Sequence, residues 1–197
     1  MHQTTDWIAC SPTKGVTMLI DFNTCKKRFG SPYQIDKAVR DGRIFKMAAG
    51  VYSEDGTESE IEVIQMKYPR AIVSFDSAYF YYDMTDYIPE QYTLTIENHA
   101  HLVRDERIRF FFVPEEVLGV GATTLDYDGA TLRIYDKERL LIDTARMKGH
   151  LPTDQYKEVI NHYRTCRDSI DASKFPEYLE HFPHRDRIMR IIDEEVY

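Results

Sequence analysis

Cysteine is scarce in this sequence, and its spacing excludes two kinds of architecture. The 197 residues include three cysteines, Cys10, Cys25 and Cys166, and no two of them form a CxxC pair. An odd count at irregular spacing fits reduced intracellular thiols, because a disulfide framework or a zinc site requires paired or clustered cysteines. We therefore expect neither a disulfide-stabilised secreted domain nor a cysteine-ligated metal.

Long apolar runs are missing as well. No apolar stretch reaches the roughly 18 residues that a transmembrane helix requires. The first residues also lack the apolar centre of a secretory signal peptide. Together with the thiol pattern, these absences predict a soluble cytoplasmic protein that does not engage a membrane.

Common cofactor-binding and catalytic motifs are absent too. The Gly119-Val120-Gly121 segment lacks the third glycine and the following helix of a dinucleotide-binding fingerprint, and the chain has no P-loop. No serine nucleophile motif occurs in the sequence. We therefore expect no catalytic residues, no cofactor and no resident metal.

Two polar patterns offer a metal-binding alternative. His99 and His101 alternate as two ligands on one face of a strand would, but no further ligand lies at an obvious spacing. Asp126 and Asp128 resemble an Asp-x-Asp magnesium pair. Because Gly129 follows them directly, a hairpin turn is the favoured interpretation of this second pattern.

A third polar pattern is a run of carboxylates near a predicted strand–helix junction, comprising Asp136, Glu138 and Asp143. Acidic clusters at such junctions can hold the metal ions of a nuclease centre. The lysine pattern that would accompany such a centre is not present. A metal-dependent nuclease or nucleotidyltransferase therefore stays as a minor alternative, which predicts turnover that requires a divalent metal.

The charge that is present is distributed unevenly. Residues 1–52 contain eight Lys or Arg and four Asp, giving +4, so residues 53–197 carry 17 basic and 29 acidic groups, giving −12. A basic head on an acidic body is what a DNA-reading module joined to a protein-binding domain would show. The hydrophobic content of 43% is ample for a packed core.

Residues 31–52 predict a helix, a stop and a β-hairpin. Ser31 and Pro32 fit the N-cap and first helical positions, and Gly42 supplies a left-handed helix end. An apolar stripe at i, i+3 and i+4 spacing consists of Ile35, Ala38 and Val39. A helix followed at once by a hairpin is typical of the second half of a winged helix-turn-helix.

A short helix is also predicted just before this stretch. Residues 21–29 have helical periodicity with Asp21 as the cap, and Gly30 separates them from the next helix, as in a helix-turn-helix. Pro12 and Gly15 make residues 1–20 poor helix formers. These residues predict an arm or part of a strand, which would leave the module truncated. The predicted organisation is an arm at 1–20, a winged helix-turn-helix at 21–53 and a C-terminal domain at 54–197.

The polar face of the second helix and the hairpin has side chains that suit DNA. Gln and Lys can reach base edges in the major groove, Tyr and Arg can hydrogen-bond phosphates, and hairpin cations would lie against the backbone or minor groove. A solvated helix face would explain each charge singly, but their clustering on one small module favours DNA binding. The predicted DNA-binding residues are Tyr33, Gln34, Lys37, Arg40, Arg43 and Lys46.

The rest of the chain predicts a mixed α/β domain that ends in a helical bundle, so the fold class is α+β. Helical spacing occurs at 58–67 and 71–82, and strand-like alternation at 92–96, 108–113, 123–127 and 131–135. The last third returns to helical spacing at 137–147, 153–166, 172–182 and 185–196.

Four segments in this order carry a family resemblance. They are GRIFKMAAGVYS at 42–53, PRAIVSFDSAYFYYDMTDYIP at 69–89, IYDKERLLIDTARMK at 134–148, and a helical end with YKEVINHYR and FPEYLEHF. They resemble the AbiEi-like antitoxins of bacterial type IV toxin–antitoxin and abortive-infection systems. The first is similar to the family's wing, the second to a helix with a Ser-Ala pair, and the third to a Glu-Arg pair with a downstream Asp. The residues that correspond to these last two motifs are Ser77, Ala78, Glu138, Arg139 and Asp143.

The resemblance implies a non-catalytic, DNA-binding antitoxin of phage defence. Such a protein represses its own promoter and counters a nucleotidyltransferase-like toxin that is encoded beside it. The implied partners are therefore double-stranded promoter DNA and the toxin of the adjacent gene. In the family, the wing module binds DNA and the larger domain contributes to both activities. The alternative is a protein-interaction module whose acidic C-terminal domain does the main work without DNA binding.

Overall fold

The computed structural model describes residues 19–197, and it has an α+β fold. This part of the chain contains nine α-helices, and its eight strands form one sheet of three and one of five strands. The chain divides into two compact units, the first ending at Lys67 and the second covering Tyr68–Tyr197. None of the helices in the described residues is long and apolar enough to cross a membrane.

The first unit is built from two helices, a β-hairpin and a further helix. Its elements are β1 (Ile20–Asp21), α1 (Phe22–Phe29), α2 (Pro32–Arg40), β2 (Phe45–Ala48), β3 (Val51–Ser53) and α3 (Glu60–Lys67). The three strands form an antiparallel sheet in the order β1-β3-β2, with Ile20 opposite Tyr52. Two short helices followed by a hairpin are the element order that the sequence predicts for a helix-turn-helix with a wing.

Side-chain caps explain where the first two helices begin. An Asp21 carboxylate oxygen accepts the backbone N–H of Thr24 at 2.7 Å, and the Ser31 hydroxyl accepts that of Gln34 at 3.3 Å. Each bond satisfies a backbone N–H that has no partner within its helix. Gly42, with φ of +68°, then turns the chain out of α2. Both predicted helices and the predicted stop are confirmed.

The bounds of the first unit differ from the predicted module. The prediction ended the module at residue 53, whereas α3 packs against β2 and β3 and extends the unit to Lys67. The predicted arm at 1–20 falls on residues 1–18, which lie outside the described residues, except for its last two positions. Of these, Ile20 belongs to β1, which was not predicted as a separate strand.

The second unit is a mixed sheet covered by helices. Its elements are β4 (Ile72–Val73), α4 (Phe75–Tyr81), β5 (Tyr92–Glu97), β6 (Ile108–Val113), α5 (Glu115–Leu118), β7 (Ala122–Tyr127), β8 (Ala130–Tyr135), α6 (Lys137–Arg146), α7 (Thr153–Thr165), α8 (Lys174–Leu179) and α9 (Arg185–Glu195). The strand order is β6-β5-β4-β8-β7, with parallel pairing of β5 with β6 and of β4 with β8. The remaining pairs are antiparallel.

Helix α6 lies at the centre of this second unit. It packs against α4, α8 and α9, and its residues 138–145 are all buried. Two side-chain hydrogen bonds tie neighbouring helices to it. The Tyr79 hydroxyl lies 2.8 Å from the Thr144 hydroxyl, and the Tyr163 hydroxyl donates to the Lys137 carbonyl at 2.9 Å. The predicted C-terminal helices therefore surround a helix with almost no solvent-facing side.

The helix predicted at 71–82 is wrong over its first residues. Ile72 and Val73 form the central strand β4, which pairs with β5 and β8, and α4 begins only at Phe75. The two residues are β-branched and fully buried, so pairing within the sheet outweighs the helical spacing of the segment. Strand pairing with distant segments is not visible in local periodicity.

Candidate nucleic-acid interface

The buried side of α2 holds this helix in place. Ile35 and Ala38 are at most 1% exposed and pack with Cys25 of α1, Ile44 and Tyr52. These contacts join both helices and the hairpin in one small core, so the orientation of the outward face of α2 is determined by packing. Burial also raises the pKa of the Cys25 thiol, which therefore stays protonated and packs as a small apolar group.

Four of the predicted DNA-binding residues share one face of α2. Tyr33, Gln34, Lys37 and Arg40 are all exposed, and Tyr33 retains 67% of its surface. Tyr33, Lys37 and Arg40 follow one another at four and three residues and so share one side of the helix, and Gln34 lies three residues before Lys37 at the edge of this side. The structure thus brings together an aromatic ring, an amide and two cations on the second helix of the helix-turn-helix.

Of the other two predicted residues, Arg43 lies in the link between α2 and β2, and Lys46 lies on the hairpin. The backbone N–H of Arg43 donates to the Ala38 carbonyl at 2.9 Å, so the backbone of Arg43 is held against the last turn of α2. The Arg43 guanidinium is centred 5.6 Å from the ring of Phe29 and lies 3.8 Å from an Asp41 carboxylate oxygen. Lys46 is exposed on β2, which is an edge strand. Both cations remain available to an anionic partner.

Helix α1 adds cations that were not among the predicted site residues. Lys26 and Lys27 are exposed, whereas Arg28 is paired with Glu54 and lies over the Phe29 ring. The run of three basic residues is visible in the sequence, but helical periodicity does not show which of them forms an ion pair within the chain. Lys26 and Lys27 extend the basic surface beyond α2.

Within the described part of the first unit, the net positive charge lies in residues 21–53. Residues 21–53 contain seven Lys or Arg and three Asp, giving +4, whereas residues 54–67 contain five Asp or Glu and one Lys, giving −4. The unit is therefore dipolar in charge rather than basic throughout. A DNA phosphate backbone would be attracted to one part of it only.

The carboxylates considered as a nuclease centre are balanced by cations of the chain. Lys174 Nζ lies 3.1 Å from an Asp136 oxygen and 3.0 Å from a Glu138 oxygen, and the Tyr178 hydroxyl donates to Asp136 at 2.8 Å. Burial disfavours the charged form of Lys174, but these hydrogen bonds outweigh it and raise the pKa of this lysine. Asp136 and Glu138 therefore bind the ammonium group of Lys174 in the place that a metal ion would take in a nuclease centre.

Asp143 is likewise occupied by cations. It accepts hydrogen bonds from the fully buried Arg139 at 3.0 Å and from Arg146 at 2.6 Å. Arg139 also donates to the backbone carbonyls of Val117 and Val120. Glu138, Arg139 and Asp143, which carry the family resemblance in this helix, are thus buried. Their observed contacts are with other groups of the second unit.

The structure also shows where the histidine pair and the Asp-x-Asp pattern of the sequence lie. Asp128 and Gly129 have φ of +48° and +80° between β7 and β8, which confirms the predicted hairpin turn. His99 and His101 are both exposed after the end of β5. Within residues 19–197, no three His, Cys, Asp or Glu side chains are grouped so that they could hold a metal ion.

Comparison with known proteins yields a fold relationship. No family model matches the chain, and no curated protein matches it in sequence. The crystal structure of the RV2827C protein from Mycobacterium tuberculosis is similar, with a TM-score of 0.64 and 12% sequence identity. The match covers 90% of this chain and 72% of that one. At this identity the likeness concerns the fold alone.

Proposed function

We propose that this protein is a cytoplasmic, DNA-binding transcriptional regulator that acts as the antitoxin of a type IV toxin–antitoxin system. One observation carries the DNA-binding part of this proposal. Six exposed polar or cationic side chains lie on α2, the hairpin and the link between them, and a shared core beneath α2 holds these segments together. The antitoxin part rests on the AbiEi-like resemblance of four segments.

The geometry suits recognition of a duplex by the helix and the hairpin together. The second helix of a helix-turn-helix enters the major groove, where Gln34 and Lys37 would meet base edges. Tyr33 and Arg40 would hydrogen-bond phosphates on either side. Arg43, just before the hairpin, and Lys46 on it would contact the backbone or minor groove. The −4 segment at 54–67 would face away from the duplex, because its charge repels phosphates.

Binding to the DNA upstream of the gene tests this surface. We expect Lys37→Ala, Arg43→Ala and Lys46→Ala together to weaken binding about 100-fold, since each charge-assisted contact contributes at least about 1 kcal/mol. The slope of log affinity against log salt should also become shallower by up to about 2–3. Fluorescence anisotropy with a labelled duplex at several salt concentrations measures both quantities.

A matched control separates the surface from net charge. Lys157→Ala, Arg167→Ala and Arg190→Ala remove three exposed cations from the second unit, and we expect no more than a small loss of affinity. If both triple variants bound DNA as the unmodified protein does, the proposed DNA surface would be wrong. A protein-interaction role without DNA binding would then be the better account.

Growth measurements test the antitoxin role separately. The adjacent gene is expressed from an inducible promoter, so that repression by this protein cannot affect the amount of toxin. We expect co-expression of the full chain to restore growth, and the Lys37, Arg43 and Lys46 triple variant to restore it equally. Absence of rescue by the unmodified chain would contradict the antitoxin role and leave the DNA-binding result intact.

A further inference from the structure

The second unit is acidic as a whole, yet one of its cavities is lined by cations. Residues 68–197 contain 16 Lys or Arg and 24 Asp or Glu, giving −8. A cavity of about 220 Å³ lies between the end of α6 and the start of α9. Among the described residues that line it there is no Asp or Glu. Its polar lining consists of Arg146, Lys148, His184 and Arg187.

Two of these cations are held in place by the surrounding fold. Arg146 donates to Asp143 at 2.6 Å, and its guanidinium lies 4.5 Å from the centre of the Phe182 ring. A guanidinium has five N–H donors, so this bond leaves most of the group free to bind a ligand. Lys148 is paired with Glu195, whose side chain is largely buried. Both cations are therefore positioned before any ligand arrives.

The third cation, Arg187, is not neutralised. It is exposed, and it forms no ion pair with another residue of the described part of the chain. It stands in the first turn of α9, where the helix dipole adds positive potential, and the side chain of His184 does not cap this helix. Asp143 is shared between Arg146 and Arg139, so positive charge remains in excess around the cavity.

The shape of the cavity indicates what kind of anion it can receive. Its remaining wall is apolar or small, formed by Ala145, Gly149, Pro183, Ile188 and Ile191. The planar donor forks of arginine match phosphate oxygens, whereas an apolar wall favours an organic body. The volume is below the roughly 300–1,000 Å³ of typical drug-sized sites. The size of the cavity therefore favours a small ligand over a drug-sized one.

We propose that this cavity binds a small phosphate monoester, with Arg146, Lys148 and Arg187 on the phosphate and the apolar wall on the organic body. A DNA backbone offers the same phosphate chemistry. However, proteins bind the phosphates of a duplex along an extended basic surface, whereas an enclosed cavity suits the terminal phosphate of a small molecule. The residues of this site belong to the second unit and those of the proposed DNA surface to the first, and the site does not depend on the proposed function.

Isothermal titration calorimetry of the full chain tests the site, with ribose 5-phosphate as the probe and ribose as the uncharged comparison. We expect saturable binding of ribose 5-phosphate and none of ribose. Arg187→Ala should weaken binding about tenfold, because it removes a charge-assisted contact. Arg190→Ala is the matched control, since Arg190 is exposed on the same helix and does not line the cavity. It should leave binding within about twofold.

The same two variants, tested for binding to the upstream duplex, distinguish a small phosphate monoester from the DNA backbone as the ligand of the cavity. Equal DNA affinity for Arg187→Ala and Arg190→Ala, together with ribose 5-phosphate binding by the unmodified chain, supports a small-molecule site. Selective loss of DNA affinity in Arg187→Ala without any ribose 5-phosphate binding would overturn the proposal in favour of the DNA backbone. Equal weakening of ribose 5-phosphate binding by both variants would also overturn it.

Discussion

Arg139 shows how one buried charge is accommodated in this molecule. Its side chain is completely buried, lies between the rings of Tyr135 and Phe182, and pairs with Asp143. A buried guanidinium is costly unless its donors find acceptors, so its bonds to the Val117 and Val120 carbonyls matter as much as the ion pair. Helix α5 and the loop that follows it, which supply these carbonyls, must therefore approach α6 very closely.

Gly121 makes this close approach feasible, and its replacement should be costly. A Cβ at this position would lie 2.4 Å from Cβ of Arg139, and the residue has φ of +72°. We expect Gly121→Ala to lower the free energy of unfolding by about 2–4 kcal/mol, through backbone strain and overpacking. Urea denaturation of the full chain, followed by circular dichroism, measures the change.

Gly119 provides the control for that measurement, two positions earlier in the same loop. It has φ of −78°, and a Cβ there would meet no atom within 4 Å. Gly119→Ala should leave stability within about 0.5 kcal/mol or raise it slightly. If the two substitutions had equal effects, the contact between Gly121 and Arg139 would not be the cause.

At the scale of elements, the N-cap of α2 links sequence directly to the candidate DNA surface. The Ser31 hydroxyl accepts the Gln34 N–H at the start of a helix of only nine residues. Short helices gain little from intrinsic propensity, so the cap and the core contacts of Ile35 and Ala38 carry much of the stability.

Removal of this cap should loosen the helix without altering its exposed face. We expect Ser31→Ala to destabilise the chain by about 1 kcal/mol, because the Gln34 N–H at the start of the helix loses its side-chain acceptor. Ser31→Thr retains the hydroxyl and should cost less. Thermal unfolding of both variants is the measurement, and equal destabilisation by Ala and Thr would contradict a capping role.

For the whole molecule, local sequence patterns predicted the helices, strands and turns better than they predicted which of these elements pack or pair with each other. The caps at Asp21 and Ser31, the stop at Gly42 and the turn at Asp128-Gly129 are local chemistry, and the structure confirms each of them. The exposure of the four predicted DNA-binding residues on α2 also follows from helical period, once Ile35 and Ala38 are assigned to the core.

What local patterns did not predict depends on distant contacts. Strand β4 exists because β5 and β8 lie on either side of it, and the short helix α5 packs against β5. The cation-lined cavity joins residues from α6 with residues from the start of α9. None of these associations leaves a periodic signal in the chain, because each is made by segments far apart in sequence.

The buried network of α6 affects how kinship with other chains should be judged. Arg139 is fully buried and its ion-pair partner is Asp143, so replacing Asp143 alone would leave a buried charge without its counter-ion. We therefore expect these two residues to change together, whereas exposed residues can change singly. Finding the same buried pair in another protein would therefore indicate a shared architecture, whereas shared activity would have to be sought on the surface.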